Sequence, residues 1–549
     1  MNGQRLFGSL DPFLEPGPVL GRKMANAQFL RFLLTADPFD EYHFFLADKG
    51  LRDGLAAQLA RLFPDLWGAG KIHLPDRRTL PQALASKDFH CFHQSDCILH
   101  QVNLARVRNA CSRRLFPITG PIHSLSYADY PSRFLAHLWP GATARDCIVA
   151  TSRTGRQAVE NQFASLRRDY GLSAEDYPAP HLALIPLGVD PGEFQEPTRA
   201  ARQEARVALN LPQGRVLSLV FGRLSHYSKM DLLPLLRAYQ SLFAQGADRS
   251  AAGLVLAGWV EDGDDFPEII RGLAKNIGLE LYLFARPDAE RKTQLYEACD
   301  LFVSIADNPQ ETFGLTLLEA AAAGLPVVAS DYDGYKDLVV HGETGLLIPT
   351  TGLASTPAAD LMAPLLPDNQ YHLYLAQTLA VDVNALARAL ESLTANPRTR
   401  LDMGQAGRRR VLSQFSWPAV VERYVALWEE LSAVEVDEAR ARSARHPLHP
   451  AFGPLFGHYP TRLLEPDSRL TLGRTGQAFY RGQDFPLVYA GLEGMVDGEA
   501  LKKLMFLARK PAAAGEMRTR LAEMTGVSPA QAEFMILWAI KHDLLEPAP

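Results

Sequence analysis

Several things are scarce in this chain, and each scarcity removes a class of protein. Cysteine is rare: Cys91, Cys97, Cys111, Cys147 and Cys299 make an odd, scattered set, which argues against a disulfide framework and for reduced structural thiols. No apolar run reaches the roughly 18 residues that suggest a membrane-spanning helix. Met1 to Gly17 lacks a basic start followed by a hydrophobic block, so no secretory signal is expected and the expected location is the cytoplasm, with contact at the inner membrane face as an additional expectation. A large excess of one charge is also missing: the net charge is -6 with 21% charged residues, which argues against a dedicated nucleic-acid binder.

What is present is length and alternation. At 549 residues the chain exceeds one core and suggests about three domains. Strand-like apolar runs at Glu41 to Ala47, Phe89 to His93, Leu115 to Thr119, Cys147 to Ala150 and Leu182 to Pro186 alternate with amphipathic helical stretches. A second series runs through Val216 to Phe221, Leu254 to Ala257, Leu281 to Phe284, Leu301 to Ser304 and Val327 to Ala329. Such alternation predicts α/β architecture, two doubly wound parallel sheets covered by helices. Gly352 to Tyr371 shows no strong periodicity and reads as an inserted loop.

The most informative window is Pro309 to Gly324, P-Q-E-T-F-G-L-T-L-L-E-A-A-A-A-G. An apolar strand, Asp300 to Ile305, precedes it, and strong helix formers fill Gly314 to Ala323. At such a junction the unpaired amides of Gly314, Leu315 and Thr316 would point out of a helix N-terminus and favour an anion. Glu311 lies in the loop before the helix, whereas Glu319 shares the face of Thr316 three residues earlier. Two acceptors therefore flank one anion site.

This window resembles the signature of retaining family-4 glycosyltransferases, and Gly324 to Ser330 and Gly342 to Pro349 resemble the strands that follow it there. The resemblance implies a GT-B fold, in which two Rossmann-like domains face a cleft. Residues 1–188 would form the acceptor-side domain and 189–412 the nucleotide-sugar domain; 413–432 would be a helix crossing back to the first domain. It implies a retaining, metal-independent hexosyl-type transfer (EC 2.4) with no resident cofactor. The donor would be a UDP- or GDP-sugar and the acceptor a saccharide, a lipid-linked saccharide or a protein.

Residue by residue, the resemblance assigns Arg223 and Lys229, after Gly222, to the departing diphosphate, aided by the amides following Phe313 in Gly314, Leu315 and Thr316. Glu319 would accept from the ribose hydroxyls, and Glu311 would meet donor-sugar hydroxyls or polarise the reacting face. The base would meet backbone around Ala285, Arg286 and Pro287. His123, in Thr119-Gly-Pro-Ile-His, resembles the strand-end histidine beside the anomeric carbon, and Gly17 to Gly21 stands in the place of a glycine-rich loop. Ile185 to Gly192 resembles the interdomain segment, with Leu187 where Asn is common. Alternatives within and outside this class are a phosphorylase-like enzyme and a degenerate binding scaffold.

Three further segments remain. His90, Cys91, His93, Asp96, Cys97 and His100 cluster without a usual zinc spacing, so the plainer reading is a strand whose end delivers His93 to the cleft. Arg106, Arg108, Arg113 and Arg114 leave two readings: a solvated helical face, or contact with an anionic membrane. Residues 433–452 read as a charged linker to a tail, 453–549, with strand-like Ser468 to Tyr480 and helices at Glu499 to Arg509, Ala513 to Met524 and Ser528 to Asp543. The tail resembles a winged-helix module. Its last helix carries Phe534, Met535, Ile536, Leu537 and Trp538 with only Lys541 as a cation, so protein docking, self-association or acceptor presentation is expected rather than DNA reading.

Overall fold

The computed structural model describes residues 4–15, 21–261, 263, 265–492 and 494–548. They divide into two compact units, Met1–His446 and Pro447–Pro549. No helix among them is long and apolar enough to cross a membrane.

The first unit holds two parallel sheets. The first is built from β1 (Leu6–Ser9), β2 (Glu41–Phe44), β3 (Ile72–His73), β4 (Phe89–His93), β5 (Ile118–Ile122), β6 (Asp146–Ala150) and β7 (His181–Leu184), in the order β3-β2-β1-β4-β5-β6-β7. The second comprises β8 (Val216–Phe221), β9 (Ala252–Gly258), β10 (Leu281–Ala285), β11 (Leu301–Ser304), β12 (Val327–Ser330) and β13 (Gly345–Ile348), in the order β10-β9-β8-β11-β12-β13. The strand order reverses beside β1 in one sheet and beside β8 in the other. In doubly wound sheets such switch points open a crevice at the carboxyl ends of the strands, where ligands bind.

Three strands of the first sheet escape the expected alternation, among them β3 with only two residues. β1 is only four residues long and includes Gly8, whose Cβ would fall 2.3 Å from the Phe92 ring. It carries no apolar run, yet it is the strand beside the switch point. β5 is shifted from Leu115–Thr119 to Ile118–Ile122, through Gly120 and Pro121. Proline is tolerated because β4 pairs with β5 only at Ile118 and Thr119, so no ladder bond is needed from Pro121 on that side.

The helix Trp417–Ala433 crosses back to the first sheet. Trp417, Tyr424 and Trp428 are buried. Trp428 Nε1 donates to Thr119 Oγ1 at 2.9 Å, and the Trp428 ring packs edge-on to Phe7. Its start is locked to the interdomain segment by Val189 N to Phe415 O and Trp417 N to Val189 O. Gly188 lies so close to Trp417 that a Cβ would reach within 2.6 Å of its ring.

Four expectations are corrected. The stretch after Gly352 is not loop alone: it holds the helices Pro357–Met362 and Asp368–Ala376, between the paired strands β14 (Thr350–Gly352) and β15 (Leu379–Val381). The supposed linker contains a helix, Glu438–Ser443, docked on the first domain through Arg442 to Ser112 O at 2.8 Å and Asn109 Nδ2 to Ala441 O at 3.1 Å. Arg108 is no surface cation but is fully buried, bound to both oxygens of Asp146 and to Phe116 O. His93 does not reach the cleft; it is buried among Phe13, Phe29, Tyr424 and Trp428, with Nδ1 2.8 Å from Thr119 Oγ1.

The second unit packs helices Arg474–Tyr480, Gly498–Leu507, Ala514–Thr525 and Pro529–Lys541 on an antiparallel sheet in the order β17 (Ala512–Ala513), β16 (Arg469–Leu472), β18 (Leu545–Pro547). Ser468 to Tyr480 is thus strand only to Leu472 and helix after Gly473. Ser528 caps the last helix by accepting from Gln531 N, and Gly526 ends the preceding one at φ 74°. Met535, Ile536 and Trp538 are buried in this unit's own core, so most of the apolar run is spent internally; Leu537 alone of that trio's neighbours is 55% exposed.

Trp428→Ala removes a fully buried ring and its hydrogen bond, so a loss of about 3–5 kcal/mol is expected. Urea denaturation followed by fluorescence should show the first unit's midpoint falling; an unchanged midpoint would mean the crossing helix contributes little.

Candidate functional site

The site grows from the carboxyl ends of β8 and β11. β8 runs into Gly222, whose φ of 156° turns the chain sharply, and its carbonyl accepts from Trp259 N at 3.2 Å. Gly258, at the end of β9, faces the same carbonyl; a Cβ there would stand 1.7 Å from Gly222 O. The two backbones therefore approach as only glycine permits. This turn throws Arg223 and Lys229 inward.

Lys229 Nζ is hydrogen-bonded to Glu311 Oε2 in a part-buried pair. Burial and then the positive charge of Arg223 pull the Lys229 ammonium down to about 7, while Glu319 acts in the opposite sense. Arg223 is held by Ser228 O at 3.1 Å and is lowered from its ordinary value by burial. The two cations, Glu311 and Glu319 thus share one desolvated neighbourhood.

β11 leads through Asp307 and Asn308 to the Glu311 loop. Asn308 Nδ2 donates to Tyr227 O at 2.8 Å, and its Oδ1 accepts from Gln310 N at 3.1 Å. The helix Leu315–Ala322 starts after Gly314, at φ 111°, where a Cβ would fall 2.5 Å from the Tyr335 ring. Among the described residues the amides of Gly314, Leu315 and Thr316 donate to no backbone group. The Thr316 hydroxyl is buried without a partner as well, and so are Asp307 Oδ1, Gln310 Oε1 and His226 Nδ1. Buried polar atoms are rarely left unsatisfied, and this group, with a helix start and two cations, has the chemistry to take a polar ligand.

Glu319, one turn into that helix, is not solitary. Lys292 Nζ donates to Oε1 at 2.6 Å and Tyr296 Oη to Oε2 at 2.8 Å, both from the helix Ala289–Ala298. Sequence reading missed these two partners, since nothing in their spacing ties them to Glu319. Each carboxylate oxygen keeps a further lone pair for a hydroxyl donor. Of the backbone around Ala285, Arg286 and Pro287 expected to meet a base, the Arg286 N–H is spent on Gly258 O at 2.7 Å, and the Arg286 guanidinium stacks 4.5 Å from the Trp259 ring. What remains to a flat ligand there is carbonyl oxygen and the Trp259 ring, another residue the sequence did not single out.

From the first domain, His123 stands just past β5 with Nε2 3.1 Å from both Asn26 Oδ1 and Ser95 O. Burial lowers it to about 4, so the imidazole is neutral at pH 7. Its carbonyl accepts from Thr312 Oγ1 at 2.7 Å, and Thr312 O accepts from Ser152 Oγ at 2.8 Å. Further bonds join the domains beside it: Thr154 Oγ1 to Asp333, Arg153 N to Asp337, and Ser126 Oγ with His372 Nε2 at 2.8 Å. The inserted segment therefore reaches the first domain. Gly21 opens the helix Gly21–Ala36, and Gly17 to Leu20 lie outside the described residues. The His90 to His100 residues form no metal-ligating group among the described residues, in line with the plainer reading of a strand: Asp96 Oδ1 accepts from Ile98 N and Leu99 N, and Cys91 and Cys97 are buried thiols that burial pushes well above their ordinary values.

The second sheet's segment gives the clearest outside comparison. Residues 201–378 match the family model Glycosyl transferases group 1. D-inositol 3-phosphate glycosyltransferases are among the curated relatives. That of Corynebacterium aurimucosum is 27% identical over 54% of this chain and 59% of its own length, and that of Nocardia farcinica 31% over 41% and 46%. The chain thus spans about half the length of these relatives. A lipopolysaccharide core biosynthesis mannosyltransferase of Rhizobium meliloti is 27% identical over 54% of this chain and 90% of its own length. Among solved structures, a Rickettsia africae glycosyltransferase aligns with a TM-score of 0.54 at 13% identity, and Anabaena HepE in complex with UDP with 0.52 at 17%. Each covers 79% of this chain and all of its own, so the fold is that of the GT-B glycosyltransferases.

Gly314→Ala would place a side chain in a backbone region that costs about 1–3 kcal/mol and drive it into Tyr335. A lowered thermal midpoint is expected; a midpoint equal to the parent chain's would show that the helix start can shift without penalty.

Proposed function

We propose that this chain is a retaining glycosyltransferase of family-4 type, moving a hexose from a UDP- or GDP-sugar to a saccharide, lipid-linked or protein acceptor. The observation that carries this reading is the convergence of Arg223 and Lys229 with Glu311 and Glu319 at a helix start whose amides and threonine hydroxyl lack partners. The match of this segment to the glycosyltransferase family model and the UDP complex of HepE support it.

In this reading the diphosphate lies across the Gly314 amides, with Arg223 and Lys229 beside it, supplying preorganised positive charge where negative charge grows as the glycosidic bond breaks. These cations do the work assigned to a metal elsewhere. Glu319, fixed by Lys292 and Tyr296, accepts from ribose hydroxyls, and Trp259 offers a ring for the base. Glu311 exchanges Lys229 for hydroxyls of the donor sugar. The acceptor enters from the first domain near His123, attacks on the face the diphosphate leaves, and passes its proton to the departing phosphate. The neutral His123 orients by hydrogen bonding rather than by charge. Positioning supplies most of the rate, and the interdomain bonds at Thr312 keep water from the donor.

A panel of nucleotide sugars tests the proposal. One UDP- or GDP-sugar should raise the thermal midpoint and be slowly hydrolysed, with the first-formed free sugar keeping its anomeric configuration by NMR. Arg223→Ala should lower turnover on the order of a hundredfold or more. A folded chain that binds the donor but never turns it over would instead favour a binding scaffold.

Lys229 gives a second test. A group near 7 in the free protein, raised by a bound diphosphate, takes up a proton on binding at pH 8 and little at pH 6. Calorimetry of nucleoside diphosphate binding in buffers of different ionisation enthalpy should report an uptake close to one proton at pH 8 that vanishes in Lys229→Met. Equal uptake by both would remove Lys229 from the diphosphate.

A further inference from the structure

The first domain holds a cavity of about 420 Å³ that the cleft does not use, lined by Arg5, Asp88, His90, Arg113 and Arg114 among others. Arg5 precedes β1, His90 opens β4 and Arg113 and Arg114 precede β5, so the cavity sits at the amino ends of three adjacent strands. His123 and the cleft lie at their carboxyl ends. The cavity is a separate feature from the donor site.

Hydrogen-bond accounting separates these arginines from their neighbours. Arg108 is saturated by Asp146, Asn109 and Phe116 O; Arg145 reaches Leu115 O and Val434 O; Arg442 binds Ser112 O and Glu438. The cavity's cations are less occupied. Arg5 pairs through Nη2 with Glu429 at 2.9 Å, but its Nε is buried without a partner. Arg113 approaches Asp88 only at 3.9 Å, with both side chains more than half exposed. Arg114 lines the cavity, and among the described residues its guanidinium enters no ion pair. His90 Nε2, also facing this group, is buried and unbonded.

We propose that this cavity is a second anion site, taking the phosphate group of a phosphoester. Three guanidinium groups present paired N–H donors that match phosphate oxygens, and guanidinium sheds water more readily than ammonium. The single lining carboxylate, Asp88, is loosely held and free to swing aside. Burial first, and then repulsion by Arg5 and Arg114 against the pull of Glu429, lowers His90 from its ordinary value. A phosphate would relieve that repulsion and give the buried nitrogens of Arg5 and His90 an acceptor. The same phosphate chemistry occurs in a soluble phosphoester and in a phospholipid headgroup.

Glycerol 1-phosphate binding, by calorimetry on the full chain, tests the site. The parent chain should bind, Arg113→Ala/Arg114→Ala should bind at least tenfold more weakly with an unchanged thermal midpoint, and Asp88→Asn should bind more tightly. A phosphate held at the donor site would respond to none of these substitutions. Sedimentation with phosphatidylglycerol vesicles, against phosphatidylcholine, assigns the source: co-sedimentation lost in the double variant identifies a headgroup, and glycerol phosphate binding without it identifies a soluble ester. Absence of binding to either probe, or equal binding by parent and double variant, overturns the proposal.

Discussion

Thr312 is held by both ends. Its hydroxyl donates to the His123 carbonyl on the first domain, and its own carbonyl accepts from Ser152, which also caps the helix Arg153–Tyr170. The residue before it is Glu311 and the second residue after it is Gly314, so the loop carrying the acidic group and the helix start is positioned by the opposite domain. Gly334 is packed against the same turn, where a Cβ would come within 2.3 Å of Thr312 O. The contacts between the two domains and the placing of the Glu311 loop are therefore one arrangement.

The same dependence governs the charges. Burial lowers both Arg223 and Lys229 from their ordinary values. Asp307, pushed up to about 7 by burial, is the counterpart among the acids. Glu311 neutralises part of this through its ion pair with Lys229. Burying charges costs stability even when they are paired, so this cluster is a weak source of stability for the fold.

The crossing helix makes the arrangement durable. Trp428, Thr119 and His93 form a buried polar chain within an aromatic cluster from Phe7 to Tyr424, tying the end of the second domain into the middle strands of the first. His93 is lowered to about 3 by burial and stays neutral there. Its place in this chain, rather than any ligand, explains a histidine at a strand end.

The sequence by itself determined the alternating strands, the second sheet almost to the residue and the Gly314 helix start, because these follow from local periodicity, breaker residues and helix-forming runs. Tertiary structure decided what depends on partners distant in the chain: the short β1 that takes its place through Gly8 beneath Phe92, the seating of Lys292 and Tyr296 on Glu319, and the burial of Arg108 against Asp146. It also set apart the arginines left unspent at the amino ends of β1, β4 and β5. A residue's type and spacing fix which contacts it can make, but burial and the loss of water decide which of them it does make, and those arise only when remote segments pack.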